Sequence, residues 1–232
     1  MGYEIAKLFS EKGNRVVICG RDAENLNKAA NDLGINYIVC DLTDSASVKN
    51  LVAKLEYFYK DLSILVNNAG LSFTYKLGER ANAVDKARAE FETNYFAPVR
   101  LAESLMPLLK KQEQAAIVNI TANVAFHPMI VLPTYSDSKA ALHSHSVALR
   151  LTLSSGTRIK VFEVLPSQIP TNAIKEVSSN QNCLSPMVVA RNIYNGLQED
   201  RYELYIGDAG KQHADYLSDP KAAIAKLNQA PF

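Results

Sequence analysis

Residues 63–70 read Ser-Ile-Leu-Val-Asn-Asn-Ala-Gly. A short unbroken apolar run gives way to two carboxamides, a small residue and a glycine. Such a run is a strand buried on both faces, and the polar turn marks its end. The same figure recurs along the chain. Arg15–Cys19 (RVVIC) stops at Gly20, Asn36–Cys40 (NYIVC) at Asp41, Ala115–Ile120 at Thr121 and Ile159–Leu165 at Pro166, with a short run at Glu203–Ile206. Helical stripes alternate with these strands. Ile5, Leu8 and Phe9 share a face before Gly13; Leu26, Ala30 and Leu33 share one before Gly34; Val48, Leu51, Val52 and Leu55 mark a third. Further helices are expected over about residues 87–111, 135–153 and 186–199. This order predicts a doubly wound α/β fold, a mostly parallel sheet with helices on both faces. Ligands of such sheets bind beyond the carboxyl ends of the strands. The unusual residues fall there: Gly20-Arg21, Asp41, Asn67–Gly70, Thr121–Asn123 and Pro166–Thr171.

Composition narrows the function. Lys and Arg number 25 against 24 Asp and Glu, a net charge of +1 that gives no electrostatic reason for nucleic acid or anionic membrane as main partner. The 232 residues are 47% apolar and 21% charged, which suits one globular α/β domain over residues 1–232. Cys19, Cys40 and Cys183 are odd in number and fit no metal spacing, so reduced thiols, a cytoplasmic location and no metal are expected. No apolar run approaches a membrane span. Asn119-Ile120-Thr121 matches a glycosylation sequon but lies in an apolar strand. His143 and His145, two apart on one helix, cannot share a face for a metal and are read as a helix contact at a subunit interface. Leu101, Leu105, Val147 and Leu151 suit either an interface or the core, and Tyr57-Phe58-Tyr59 reads as half-buried helix packing.

Tyr135 and Lys139 lie four apart on one helix and therefore share a face. An ammonium beside a phenol favours the phenolate and lowers its pKa from about 10. A phenol so tuned exchanges a proton with a carbonyl or alcohol oxygen near neutral pH.

Around that pair the order of motifs resembles the short-chain dehydrogenase/reductase family over nearly the whole chain: Asn67-Asn68-Ala69-Gly70 after a strand, Ile117-Val118-Asn119-Ile120-Thr121 before the Tyr, and Pro166-Ser167-Gln168-Ile169-Pro170-Thr171 after the next strand. Ala116–Thr121, Ala125-Phe126 and Lys139–Ser144 are similar to a branch associated with D-alanine esterification of teichoic acids. The resemblance implies an NAD(P)-dependent oxidoreductase moving a hydride between nicotinamide and a carbonyl or alcohol carbon, working as a homodimer or homotetramer. It makes Tyr135 the general acid/base, Lys139 the residue that holds the nicotinamide ribose and tunes the Tyr, and Asn94 the support of a proton-relay water. Gly2 matches the last glycine of the phosphate loop. Asp41 and Leu42 fall beside the adenine, Asn68, Ala69 and Gly70 beneath the cofactor, and Pro166, Ile169 and Thr171 against the carboxamide. The substrate wall would come from about residues 172–185. Members that prefer NAD place an acid where this chain has Gly20; the following Arg21 suits a 2′-phosphate, so NADP is preferred over NAD.

Two positions depart from the family pattern. Its catalytic Ser, thirteen before the Tyr, is Ala122 here. Thr121 points to the opposite strand face, and Asn123 replaces the donor only if its loop turns inward. The family also begins with a central strand and a Gly-rich turn; matching Gly2 to that turn leaves about 15 residues without a counterpart. Burial of such a strand contributes roughly 6–15 kcal/mol at ~1.5–3 kcal/mol per apolar side chain. Its neighbours would lose ladder partners unless they closed on each other. Three readings stay open: a start further upstream, a truncated and impaired product, or a cofactor-free module that binds a partner.

Overall fold

The computed structural model describes residues 1–78, 80–167 and 184–229. Among these the apolar runs become β1 (Val17–Gly20), β2 (Asn36–Val39), β3 (Ile64–Asn67), β4 (Ala115–Ile120), β5 (Ile159–Pro166) and β6 (Glu203–Ile206), each within two residues of its expected place. Helices α1 (Gly2–Glu11), α2 (Ala23–Leu33) and α3 (Ser45–Phe58) alternate with the first three strands. Then come α4 (Ala83–Phe91), α5 (Ala97–Leu109), α6 (Pro133–Ser154), α7 (Pro186–Gln198), α8 (Ala209–Ser218) and α9 (Pro220–Asn228). Local chemistry sets the boundaries. The Asp22 carboxylate accepts the Asn25 N–H at the start of α2, and Gly34, at φ +63°, closes it. The Asp44 carboxylate accepts the N–H groups of Ala46 and Ser47 at the start of α3.

The helix expected over 87–111 is corrected in one respect. It starts at Ala83, and a π-helical segment, Glu92–Phe96, separates α4 from α5. Helices α8 and α9 were not foreseen. Ala209 is the one buried residue of α8 and α9 has none, so neither carries the apolar stripe that betrays a helix.

All strand pairs are parallel, but the strands form two sheets, β1-β2 and β3-β4-β5-β6. Strand β4 is buried throughout, as an interior strand should be. Strand β3 is half-exposed at Ile64, Leu65 and Val66 and buried only at Asn67. The cause is a cavity of about 850 Å³ between β1 and β3, so the two strands have not closed on each other. Arg15 ties their amino ends together by bonding the Asp61 carboxylate at 3.2 Å and the Phe58 carbonyl at 3.0 Å.

The core lies on both faces of the sheets. Leu51, Leu55, Leu105, Ile117 and Val161 gather on one side, and Ile5, Phe9, Val118, Phe162 and Ile193 on the other. Leu101 and Leu105 belong to this core, whereas Val147 is half-buried and Leu151 exposed. The expectation for Tyr57 and Phe58 is overturned. Both are exposed and pack edge to face on each other; Tyr59 alone is buried, with the Arg15 guanidinium 4.4 Å above its ring. The helix presents Leu51 and Leu55 to the core, which turns positions 57 and 58 outward. Asn119 is buried in β4, accepts a bond from the Asn67 amide at 2.7 Å and donates to Ser146 Oγ at 2.9 Å, so the folded chain hides the sequon. Among the described residues no helix is long and apolar enough to cross a membrane, and no cluster of His, Cys, Asp and Glu could hold a metal ion.

Candidate active site

The parallel topology gathers the expected residues at the carboxyl ends of the strands. Gly20 ends β1 and the exposed Arg21 follows it. Asp41 follows β2; its carboxylate accepts the Thr43 N–H and hydroxyl at 2.9 and 2.7 Å, and these bonds, with Arg21 nearby, hold its pKa below the usual range. The Leu42 carbonyl accepts a bond from Arg100 at 2.9 Å, which anchors that turn to α5. Asn68, Ala69 and Gly70 follow β3, and Pro166 ends β5. Ile169 and Thr171, like Cys183 and most of the expected substrate wall, lie outside the described residues.

Gly2 opens α1 against Asn68. A Cβ on Gly2 would stand 2.7 Å from Asn68 Nδ2, so a larger residue there would displace the Asn68 amide. A Cβ on Gly70 would sit 3.7 Å from Asn94 Oδ1 and 3.9 Å from Lys139 Nζ, which places these three residues together. The Asn68 Oδ1 is buried without a partner among the described residues. A helix amino terminus that suits a phosphate, a bare glycine and an Asn68 oxygen left to accept a bond thus line one ledge, and this set fits a dinucleotide.

Tyr135 is in the first turns of α6 and is half-buried. Lys139 is buried and lies one turn on. Its Nζ donates to the Ile120 carbonyl at 2.8 Å and stands 5.6 Å from the centre of the Tyr135 ring. The expected acidic phenol is not found. Burial, and then the charge of Glu90, push the Tyr135 pKa up to about 12. Lys139 donates one of its three N–H bonds to the Ile120 carbonyl, and burial lowers its own pKa to about 8.

The Lys139 shift has a measurable consequence. A lysine with a depressed folded-state pKa binds fewer protons folded than unfolded between about 8 and its ordinary 10.5. Stability therefore rises with pH across that window. Urea unfolding at pH 7.5 and 9.5 should show this rise in the parent chain and not in Lys139→Met; an equal rise in both would contradict the assignment.

Asn94 lies in the π-helical segment and is fully buried. Its Oδ1 accepts the Leu71 N–H at 2.8 Å, and its Nδ2 donates to the Leu71 carbonyl at 2.8 Å and to Ser138 Oγ at 2.9 Å. It fastens the turn after Gly70 to α6, and the π distortion aims it there.

Ala122 is extended and buried at the end of β4. Thr121 turns to β5, donating to Glu163 Oε1 at 2.7 Å, as strand alternation required. The Asn123 amide donates one of its two N–H bonds to Gln212 Oε1 on α8. His143 Nδ1 meets the buried Glu163 carboxylate at 2.9 Å, which raises its pKa. His145 lies against the Tyr95 ring.

The sequence reading missed Glu90. This fully buried carboxylate accepts the Phe73 N–H at 2.8 Å and a bond from Thr134, whose hydroxyl also meets the Tyr75 hydroxyl at 2.6 Å. Burial raises its pKa. Glu90 falls four residues before Asn94, a spacing that could have placed it beside the site.

A parallel α/β frame with a helix-borne Tyr and Lys at its carboxyl edge defines a class, and the comparisons agree. The family model described as short chain dehydrogenase matches residues 1–182, and the chain belongs to this family. It is 36% identical over 215 residues to an oxidoreductase of Bacillus subtilis strain 168 named DltE and described as uncharacterized, covering 91% of this chain and 81% of that protein. It is 29% identical over 240 residues to dehydrogenase/reductase SDR family member 7B of Xenopus tropicalis, covering 94% of this chain and 77% of that one. The crystal structure of a short chain dehydrogenase from Burkholderia cenocepacia in complex with NADP superposes with a TM-score of 0.84 at 26% identity, covering 99% of this chain and 93% of that one.

Proposed function

We propose that this protein reduces a carbonyl compound with NADPH, with Tyr135 as proton donor. A nicotinamide cofactor supplies the hydride when bound; the chain holds the partners and moves the proton. The observation that carries this reading is the buried Lys139 ammonium set between the Tyr135 ring, Gly70 and Asn94. A phenol with a pKa near 12 is protonated at neutral pH and holds the proton that reduction of a carbonyl requires. In that step Tyr135 Oη loses its proton to the oxygen as the new C–H bond forms. Lys139 stabilises the resulting phenolate and holds the ribose, and Asn94 keeps both from drifting by fixing Leu71 and Ser138. Gly2, Asn68, Ala69 and Gly70 line the cofactor ledge, Asp41 and Leu42 the adenine side, and Pro166, with Ile169 and Thr171, the carboxamide side.

Arg21 beside a glycine supports NADP over NAD. Loss of a charge-assisted bond to a 2′-phosphate weakens binding about tenfold. Arg21→Ala should therefore weaken NADPH by that factor and leave NADH unchanged; an equal effect on both would remove the preference.

Ala122 leaves the substrate oxygen one hydrogen bond short. A single such donor typically changes turnover by about 10²–10³-fold. Ala122→Ser should raise turnover toward that range at unchanged cofactor affinity. No gain would mean that another group already supplies the donor.

A further inference from the structure

We propose that Glu90 is a positioning residue for the carbonyl substrate, the middle rung of a ladder that holds residues 71–75 beside Tyr135 as the wall against which that substrate is turned. The proposal rests on the reading of Tyr135 as proton donor. Residues 71–75 leave the cofactor ledge at Gly70, where a Cβ would come 3.9 Å from Lys139 Nζ. They end at Tyr75, whose N–H bonds the Val131 carbonyl at 3.0 Å and whose hydroxyl meets that of Thr134, the neighbour of Tyr135. Both ends of the strip thus lie next to the reacting pair.

Side chains four residues apart meet alternate residues of this strip. Asn94 bonds the N–H and carbonyl of Leu71, Glu90 Oε1 accepts the Phe73 N–H at 2.8 Å, and Lys86 Nζ stands 4.5 Å from the centre of the Tyr75 ring. The repeats match, because four helical residues advance about 6 Å and two extended residues about 6.6 Å. The same repeat continues onto α6. There Asn94 donates to Ser138 and Glu90 accepts from Thr134, two hydroxyls that flank Tyr135 in sequence. Glu90 is fully buried, and as a carboxylate it only accepts. Thr134 gives it the hydroxyl proton, which leaves the Tyr75 hydroxyl to donate to Thr134. One acceptor thus fixes the direction of two hydroxyls and a backbone N–H. Charge-assisted bonds of this kind offset the cost of burying the charge.

The test compares Glu90→Ala, Glu90→Gln and Thr134→Val with the parent chain, using NADPH and three probes, 4-nitrobenzaldehyde, hexanal and cyclohexanone. Glu90→Ala should raise the KM of the best probe about tenfold and leave that of NADPH within about twofold. A KM does not depend on the fraction of chains that are folded, so a merely stabilising role would not move it. Glutamine keeps an acceptor for the Phe73 N–H and donates to Thr134, whose hydroxyl then turns to Tyr75. Glu90→Gln should therefore bring the KM back to within about threefold of the parent. Thr134→Val cuts the same rung from α6 and should act as Glu90→Ala does, which decides the matter if the alanine chain does not fold. Amide hydrogen exchange at Phe73 should quicken at least about tenfold in Glu90→Ala, while Leu71, held by Asn94, stays slow. An unchanged substrate KM, glutamine as damaging as alanine, or exchange that quickens at Phe73 and throughout β4 alike overturns the role of Glu90. A parent chain that reduces none of the probes counts instead against the Tyr135 reading; hydrogen exchange then judges the ladder alone, and an unaltered rate at Phe73 overturns it.

Discussion

Tyr135→Phe is expected to lower carbonyl-reduction turnover by about 10²–10⁴-fold, the usual contribution of a positioned proton donor. The substitution removes one oxygen and keeps the ring. The ring is what lies 5.6 Å from Lys139 Nζ, so the packing of α6 against Gly70 and Asn94 is preserved. Binding of NADPH, followed by its own fluorescence, should stay within about twofold, because the ledge of Gly2, Asn68 and Ala69 is untouched. A variant that loses cofactor affinity and turnover together would instead mark Tyr135 as a binding residue. The high pKa of the parent phenol adds a second readout. Turnover in the reductive direction should show no limb from Tyr135 between pH 6 and 9, because that group stays protonated throughout.

The second large effect is on stability. Asn94→Ala should cost roughly 2–4 kcal/mol of unfolding free energy. Three hydrogen bonds are lost, and the Leu71 N–H and carbonyl are left without their side-chain partner in a partly buried place. Urea unfolding of the two chains measures it directly. A change below about 0.5 kcal/mol, the range of an ordinary surface substitution, would show that the π-helical segment is held by something other than this side chain.

The fold was legible where chemistry repeats along the chain. Ser63–Gly70 and its counterparts announce strands because doubly buried strands are apolar at every position, and each ends in a turn residue. Lys139 beside Tyr135 follows from helical spacing alone. The opposite facing of Thr121 followed from strand alternation and is borne out by its bond to Glu163. What escaped was set by tertiary packing. The Tyr135 pKa depends on how much polar surroundings the fold leaves it, which spacing does not tell. The bond of Asn123 to Gln212 was out of reach because Gln212 lies on a helix without an apolar stripe. The exposure of Tyr57 and Phe58 depends on which face of α3 reaches the core. Whether β1 and β3 close on each other was left open by the sequence, and the assembled sheets keep them apart.

The account rests on a proton leaving Tyr135 as a hydride reaches a carbonyl carbon, and isotope transfer tests that most directly. NADPH deuterated at the transferring C4 position is incubated with the chain and a panel of aldehydes and ketones, and the alcohols are weighed by mass spectrometry. One deuterium on the carbinol carbon of at least one product, absent with Tyr135→Phe, is the result this account predicts. Unlabelled alcohols, or labelling that survives the loss of the Tyr135 hydroxyl undiminished, would contradict it.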